Sequence, residues 1–153
     1  MFEQKFFEQK VIISNEKRVD KIVSLEVKDA FVYYEGIKIA NIDKISFMFL
    51  LFYNEINIDN IKLLDSLSVI IPPSIKNINI KHSIFDYKNI HIKSIGSFGK
   101  LEANVNILTK KVLIKLDASS LMKREYSKIL RSMKLIDGKY IWEKSLWILY
   151  LIK

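Results

Sequence analysis

The sequence predicts a mainly β protein, built on one curved antiparallel sheet that is partly open or rolled, with one short amphipathic α-helix near the C-terminus. Polar and apolar residues alternate along most of the 153-residue chain, as in strands that bury one face. Half of the residues are hydrophobic, which argues against disorder. Glycine and proline are scarce, at 4 and 2 residues, which excludes a loop-rich or fibrous chain. We expect a single β-rich domain over residues 1–153, because this length suffices to bury one core.

The first predicted strands alternate clearly. Val23, Leu25 and Val27 fall on one face, and Gly36 then marks a turn. The following strand contains the run FMFLLFY at residues 47–53, which is too short to span a membrane as a helix. Its aromatic residues interleave with leucine and methionine, so we assign the run to the core.

A second group of strands follows the tandem Pro72-Pro73. Neither proline can donate a hydrogen bond to a strand ladder, so the pair is predicted to separate two groups of strands. In the second group, isoleucine, leucine and valine alternate with asparagine, lysine and histidine. Gly96 and Gly99 are predicted to form a turn between strands, since no phosphate-loop sequence follows them.

The C-terminal part combines a helix and a hairpin. Ser119 or Ser120 is a suitable cap for a helix over about residues 119–134, where apolar residues recur every three to four positions. We expect this helix to dock on the sheet, with contact to a membrane surface as the alternative. Asp137-Gly138 favours a two-residue turn, which predicts a hairpin over about 135–153. The last dozen residues form either a final buried strand or an exposed apolar terminus.

The net charge of the chain limits the classes of partner that we expect. The formal net charge of +8 favours an anionic partner such as nucleic acid or phospholipid head groups. Only three of the 25 basic residues are arginine, whereas sequence-reading nucleic-acid proteins rely on arginine. Nucleic acid is therefore the least favoured partner, and most lysines are expected on solvated strand faces. The chain has no cysteine, which excludes disulfides and thiolate metal sites.

No recognisable motif for catalysis is present. His82 and His91 lie nine residues apart on predicted strands, without the acidic cluster that a metal site would need. No nucleophile elbow, dinucleotide fingerprint or pair of catalytic carboxylates appears. We expect no catalytic residue, no cofactor and no metal, and therefore a protein that is not an enzyme.

The order of elements resembles a known class. The segment AFVYYEGIKIANIDKISFMFLLFYNEINIDNIKLLD has an apolar strand, a glycine, a short strand, a long apolar strand and an Ile/Asn strand. This order resembles bacterial envelope proteins of the AsmA-like class, and it is similar to the type II secretion system protein N family. The segment from Gly96 to Glu143 resembles the C-terminal end of the protein N relatives. The resemblance covers about residues 20–143.

The resemblance implies a curved sheet exposed to the periplasm and held at the inner membrane. The sequence around Met1 is not a signal peptide, because charged residues interrupt it. A membrane anchor of the kind usual in this class is therefore expected to be missing from these residues. Members of the class are associated with moving lipids or proteins across the envelope, which makes a lipid or a secretion-machinery subunit the expected partner.

These observations together predict a non-enzymatic envelope module that holds acyl chains or secretion machinery on the apolar side of its sheet. The alternative is a scaffold that pairs through a sheet edge or through its apolar C-terminal tail. The residues expected on the apolar ligand or partner face are Ile78, Ile80, Ile84, Leu101, Val105, Ile107, Val112 and Ile114. The residues expected to contact anionic head groups are Lys81, Lys93 and Lys115.

Overall fold

The computed structural model describes residues 2–6, 11–15, 17–20, 24–64 and 72–145, with side chains described within 24–64 and 72–145. The strands are β1 Phe2–Phe6, β2 Val11–Asn15, β3 Lys17–Asp20, β4 Ser24–Tyr34, β5 Ile37–Leu50, β6 Tyr53–Leu63, β7 Ser74–Ser83, β8 Asn89–Gly96, β9 Gly99–Asn106, β10 Lys111–Ala118, β11 Lys134–Ile136 and β12 Lys139–Ser145. The helices are α1 Ser120–Glu125 and α2 Ser127–Leu130, and a 3₁₀ turn spans Ile84–Asp86.

All strands join one antiparallel sheet. Its order is β1-β2-β4-β5-β6-β7-β8-β9-β10-β12-β11, and β3 also pairs with β4. From β4 to β10 each strand pairs with the next one along the chain, so short hairpins make most of the connections. Within the described ranges β1 and β11 are the two ends of this order and do not pair with each other, so the sheet is open. The predicted fold class is confirmed.

Two of the predicted turns, at Gly36 and at Asp137-Gly138, join neighbouring strands with positive φ at both central residues. Glu35 and Gly36 have φ of 50° and 80°, and Asp137 and Gly138 have φ of 49° and 76°. Positive φ at both central residues defines the type I′ turn, which matches the twist of antiparallel strands. The β8–β9 turn ends at Gly99, where an added Cβ would collide with the carbonyl oxygen of Asp117. The predicted turns at these three places are confirmed.

Four neighbouring strands share a pattern of two consecutive polar residues between apolar ones. These motifs are Val27-Lys28-Asp29-Ala30 in β4, Ile42-Asp43-Lys44-Ile45 in β5, Ile58-Asp59-Asn60-Ile61 in β6 and Ile75-Lys76-Asn77-Ile78 in β7. The registers place them side by side across the sheet. Because side chains alternate in a regular strand, two polar residues in succession would send the next apolar residue to the wrong face.

The backbone corrects this shift at the polar pairs. Asp29 and Asn60 take positive φ, both 52°, and the β7–β8 register shifts between Ile75 and Asn77. Val27 and Ala30 are consequently both buried, at 2% and 0% exposure, although three positions separate them. The apolar residues on both sides of this row therefore lie on one side of the sheet. We call this side the apolar face and the opposite one the polar face.

The apolar face carries two buried clusters. The first lies on β4, β5 and β6 and consists of Val27, Ala30, Ala40, Ile42, Ile45 and Ile61. The second lies where α1 and α2 pack on the C-terminal strands, and it consists of Leu116, Ala118, Met122 and Leu130. The two helices therefore cover the sheet near the C-terminal end of β10, where Leu116 and Ala118 lie.

Two features differ from the prediction. The single helix predicted over about 119–134 is two short helices, because Tyr126 leaves the helical conformation at φ −118° and ψ 28°. This break lets Met122 and Leu130, one from each helix, both reach the same cluster. The prediction that residues 47–53 belong to the core is wrong for residues 48–52, because the β5–β6 turn falls inside this run and leaves Leu51 83% exposed; Phe47 does pack against the first cluster.

The remaining sequence predictions are met in part. Strand β7 begins at Ser74, directly after Pro72-Pro73, as expected for residues that cannot join a ladder. The C-terminal hairpin is present as β11 and β12 up to Ser145. The predictions for Val23 and for the apolar tail at residues 146–153 lie outside the described residues.

Candidate apolar ligand site

A cavity of about 350 Å³ lies between the apolar face and the two helices. Its lining residues come from the connection before β7, from strands β7, β9, β10 and β12, from the β8–β9 turn and from the helical segment. They are Pro72, Ile75, Phe98, Leu101, Ile114, Leu116, Met122, Ile129, Ser132, Met133 and Trp142.

The helices are held over the cavity by a cap that also binds the sheet. The Ser119 hydroxyl accepts a hydrogen bond from the Met122 backbone N–H at 3.1 Å, as expected for an N-cap. The same hydroxyl donates to the carbonyl oxygen of Ser97 in the β8–β9 turn at 2.6 Å. The Ser119 N–H donates to the Phe98 carbonyl at 2.9 Å. These bonds fix the start of α1 on the turn that contributes Phe98 to the cavity.

The cavity has an apolar lining with one polar side chain. The hydroxyl of Ser132 donates to the Ile129 carbonyl oxygen at 2.7 Å, so this polar group already has a partner. Among the described lining residues, none is titratable or charged. The site can therefore surround an apolar group, and its described lining has no titratable side chain to act as an acid or base or to activate the Ser132 hydroxyl.

The structure brings only two of the predicted apolar residues into the cavity. Leu101 and Ile114 line it directly. The predicted residues that lie on the apolar face outside the cavity lining are Ile78, Ile80, Val105 and Val112.

The other two predicted apolar residues lie at hairpin turns at the end of the sheet. Ile84 belongs to the 3₁₀ turn after β7 and is 51% exposed. Ile107 follows β9, and its N–H donates to the Lys88 carbonyl at 2.8 Å. Neither residue lines the cavity.

The three predicted head-group lysines lie on the polar face. Lys81 pairs across the strands with Glu55, Lys93 with Glu102, and Lys115 also with Glu102. The Nζ atoms of Lys81 and Lys93 lie 3.7 Å and 3.9 Å from those carboxylates. Because the sheet separates them from Leu101 and Ile114, the lysines do not flank the cavity.

Glu55 is the centre of a polar network on that face. Tyr53 donates to it at 2.9 Å, and the Asn79 amide also donates to it. Burial acts to raise the pKa of Glu55, but hydrogen bonds from Asn79 and Tyr53 and the charge of Lys81 together hold that pKa below its ordinary value. The hydrogen bond with Tyr53, followed by attraction to Glu55, raises the pKa of Lys81.

Both histidines contact the turn between β7 and β8. His91 Nε2 lies 2.6 Å from Asp86 Oδ2, and His82 Nε2 lies 3.0 Å from the Tyr87 carbonyl oxygen. Hydrogen bonds from His91 and Asn89 lower the pKa of Asp86. Within residues 24–64 and 72–145, no group of three or more His, Asp or Glu side chains is arranged to hold a metal ion.

Sequence reasoning missed most of the cavity for an identifiable reason. The helical spacing indicated a docked helix with Met122 and Met133 on its apolar side. It could not show that the helix breaks and leaves a space above Leu101. Phe98 and Trp142 come from a turn and from the last described strand, and only the strand order brings them together.

Comparison with known proteins adds no relative. No protein-family model matches the chain. No curated protein and no solved structure is significantly similar to it. In the part of the chain that the structure describes, no helix is long and apolar enough to cross a membrane.

Proposed function

We propose that this chain is a non-catalytic binding module that holds an aliphatic chain, such as the acyl chain of a lipid, between its sheet and its two short helices. The observation that carries the proposal is the apolar cavity of about 350 Å³. Its volume lies near the lower end of the range of roughly 300–1,000 Å³ for small-molecule sites. The volume and lining suit one slender apolar group.

The lining supports an adaptable fit to such a group. Met122 and Met133 contribute two flexible, polarisable side chains to the helical wall, which can adjust to ligands of different lengths. Phe98 and Trp142 contribute rigid aromatic surface from the sheet side. A charged ligand head would have to remain outside, because the cavity offers no counter-charge.

The proposal places this binding in the bacterial cell envelope, on the periplasmic side of the inner membrane, where it would serve lipid or protein transport. Support for this setting comes from the AsmA-like and protein N-like order of strands and from the net charge of +8, which favours anionic surfaces.

The first test is mass spectrometry of an organic extract from the natively expressed and purified protein. A lipid or fatty acid in a stoichiometric amount is expected. Ser132→Trp should abolish its retention, because Ser132 is exposed at the cavity and a large ring there would occupy the space. Ser132→Ala is the matched control, which removes the hydroxyl without filling the cavity and should retain the ligand. Absence of lipid from both the unmodified protein and Ser132→Ala, when both are folded, would exclude the proposal.

The scaffold function remains a second candidate because of one observation. Strand β11 lies at the end of the sheet, and all three of its residues are exposed, with Leu135 at 61% and Ile136 at 48%. Such an edge can pair with a strand of another protein. The double substitution Leu135→Lys and Ile136→Lys should block this pairing and leave the cavity ligand in place. Capture of a protein partner and extraction of lipid therefore distinguish the two functions.

A further inference from the structure

Three neighbouring hairpin turns lie at one end of the sheet, away from the helices. They are the β5–β6 turn at residues 50–53, the β7–β8 turn at 83–89 and the β9–β10 turn at 106–111. We call these three segments together the apolar tip. The Ile84 N–H donates to the Phe52 carbonyl at 3.1 Å, and the Ile107 N–H donates to the Lys88 carbonyl at 2.8 Å. Backbone hydrogen bonds thus join the three turns into one continuous structure.

The tip exposes large apolar side chains to solvent. Leu51 and Phe85 are each 83% exposed, and Phe52, Tyr87 and Leu108 are at least half exposed. The rings of Phe52 and Phe85 lie 5.8 Å apart, so adjacent turns contribute to one patch. Since an aromatic side chain presents roughly 150–250 Å², these residues together present several hundred Å². A monomer rarely exposes a contiguous apolar patch larger than this without a binding role.

Some polar groups within the tip form hydrogen bonds with one another. Asn106 Oδ1 accepts hydrogen bonds from the N–H groups of Leu108 and Thr109, at 3.1 Å and 2.9 Å. Asn89 donates to Asp86 at 2.7 Å, and Asp86 also contacts His91. These particular hydrogen bonds do not depend on water, so they can persist where the turns approach hydrocarbon.

The charges of the tip match an anionic bilayer. Lys88, Lys110 and Lys111 are exposed, and among the described residues none of them forms an ion pair. Asp86 is the one acidic residue in the three segments, and His91 already contacts it. Lysine side chains beside an apolar tip can reach lipid head groups while the apolar residues enter the interface.

We infer that the apolar tip is a membrane-docking surface, in which Leu51, Phe52, Phe85 and Leu108 enter the interface of an anionic bilayer and Lys88, Lys110 and Lys111 contact its head groups. A protein partner would be favoured if the patch carried paired charges of both signs, whereas here the unpaired charges are all positive. This inference does not depend on whether the cavity binds a ligand, because none of these residues lines it.

The absence of cysteine allows a direct test with the full chain. Leu51→Cys or Phe85→Cys introduces a unique thiol for an environment-sensitive fluorophore. Phosphatidylcholine vesicles that contain phosphatidylserine should shift the emission of both labels to the blue. The matched control is Ile37→Cys in the β4–β5 hairpin at the opposite end of the sheet, where the native side chain is 63% exposed. Its label should not respond.

Sedimentation with the same vesicles tests the two parts of the surface separately. Leu51→Glu and Phe85→Glu should each reduce binding at least tenfold, while Ile37→Glu should leave it unchanged. Each of Lys88→Gln, Lys110→Gln and Lys111→Gln should weaken binding about fivefold and make it less sensitive to salt.

Three outcomes would overturn the inference. One is a folded protein whose labels at 51 and 85 do not respond to vesicles. Another is an equal response at position 37, which would indicate adsorption without orientation. The third is a blue shift at 51 that rises with protein concentration in the absence of vesicles, which would assign the tip to contact between two copies of the chain.

Discussion

At the scale of single residues, Glu55 links strands β6 and β7 on the polar face. Its carboxylate accepts hydrogen bonds from Tyr53 and Asn79 and lies 3.7 Å from the Lys81 ammonium. The side chain is 17% exposed, so solvent screens these contacts only in part. Lys93 and Lys115 lie on the same face. Because the sheet separates them from the cavity, they are solvent-facing residues and do not contact a ligand held there.

Glu55→Gln tests the contribution of this carboxylate to stability. Because the folded-state pKa lies below the ordinary value of 4.5, the ionised group stabilises the fold above that pH. The contribution is lost as the pH falls through the lowered folded pKa. We expect the substitution to reduce the free energy of unfolding by about 1 kcal/mol at neutral pH. The difference from the unmodified protein should disappear in acid, as measured by urea denaturation at several pH values.

Glu102→Gln is the matched control for this experiment. Glu102 lies on the same face, but it is 60% exposed, and its contact with Lys93 is longer, at 3.9 Å. Its replacement should change the free energy of unfolding by no more than about 0.5 kcal/mol at neutral pH. Equal effects of the two substitutions would contradict the role assigned to Glu55.

At the scale of elements, the sequence predicts the strands better than it predicts their faces. Alternation locates β4 to β10, and turn residues locate the turns at Gly36 and Asp137-Gly138, because these features depend on neighbouring residues alone. The double polar positions, such as Lys28-Asp29 and Asp59-Asn60, interrupt this alternation. Only the strand registers show that these pairs lie side by side and mark one row where the backbone corrects the alternation. The repetition of apolar-polar-polar-apolar motifs in four successive strands was the available signal.

The functional elements were harder to predict for the same reason. The residues of FMFLLFY have core composition, yet the β5–β6 turn falls at Leu51 and Phe52 and exposes them. Composition cannot distinguish a buried apolar strand from an exposed apolar turn. The cavity likewise requires the break between α1 and α2 at Tyr126, which helical periodicity does not reveal.

Substitution of Asn60 tests the row of polar pairs. Asn60 is exposed and has φ of 52°, a conformation that asparagine tolerates and β-branched residues disfavour. Asn60→Val should reduce the free energy of unfolding by about 1–2 kcal/mol. Asn60→Gly, which adopts this φ without strain, is the control and should be close to neutral. If thermal denaturation gives equal stability for the two variants, the positive φ does not set the position of Ile61 on the apolar face.

At the scale of the whole molecule, the apolar face connects the two proposed sites. Leu101, Ile114 and Leu116 lie at the cavity, and Lys111 begins β10 at the tip. Leu116 lies five positions after Lys111 in β10, a distance of roughly 17 Å. Half-buried apolar side chains continue over the intervening surface. They are Ile80, Ile92, Ala103, Val105 and Val112.

This continuity gives a role to predicted residues that lie outside the cavity. An acyl chain that leaves a bilayer at the tip would meet Val105 and Val112 before it reaches Leu101. Because these side chains are only partly buried in the described structure, they keep surface that a ligand chain can contact. The tip would then determine where the ligand is taken up, and the cavity would determine how long it is held.

Transfer of a fluorescent fatty acid from vesicles to the protein tests this path. Val105→Glu should slow the transfer at least tenfold, because a charge on the path excludes the acyl chain. Val105→Thr, which keeps the shape of valine, should slow the transfer less than Val105→Glu does. It also provides a variant for the test that is expected to stay folded. Leu113→Glu is the matched control, since Leu113 lies on the polar face of the neighbouring strand. Leu51→Glu should slow uptake from vesicles while leaving uptake of the dispersed fatty acid unchanged. If Val105→Glu remains folded and takes up the fatty acid from vesicles at the original rate, the ligand does not travel along the apolar face.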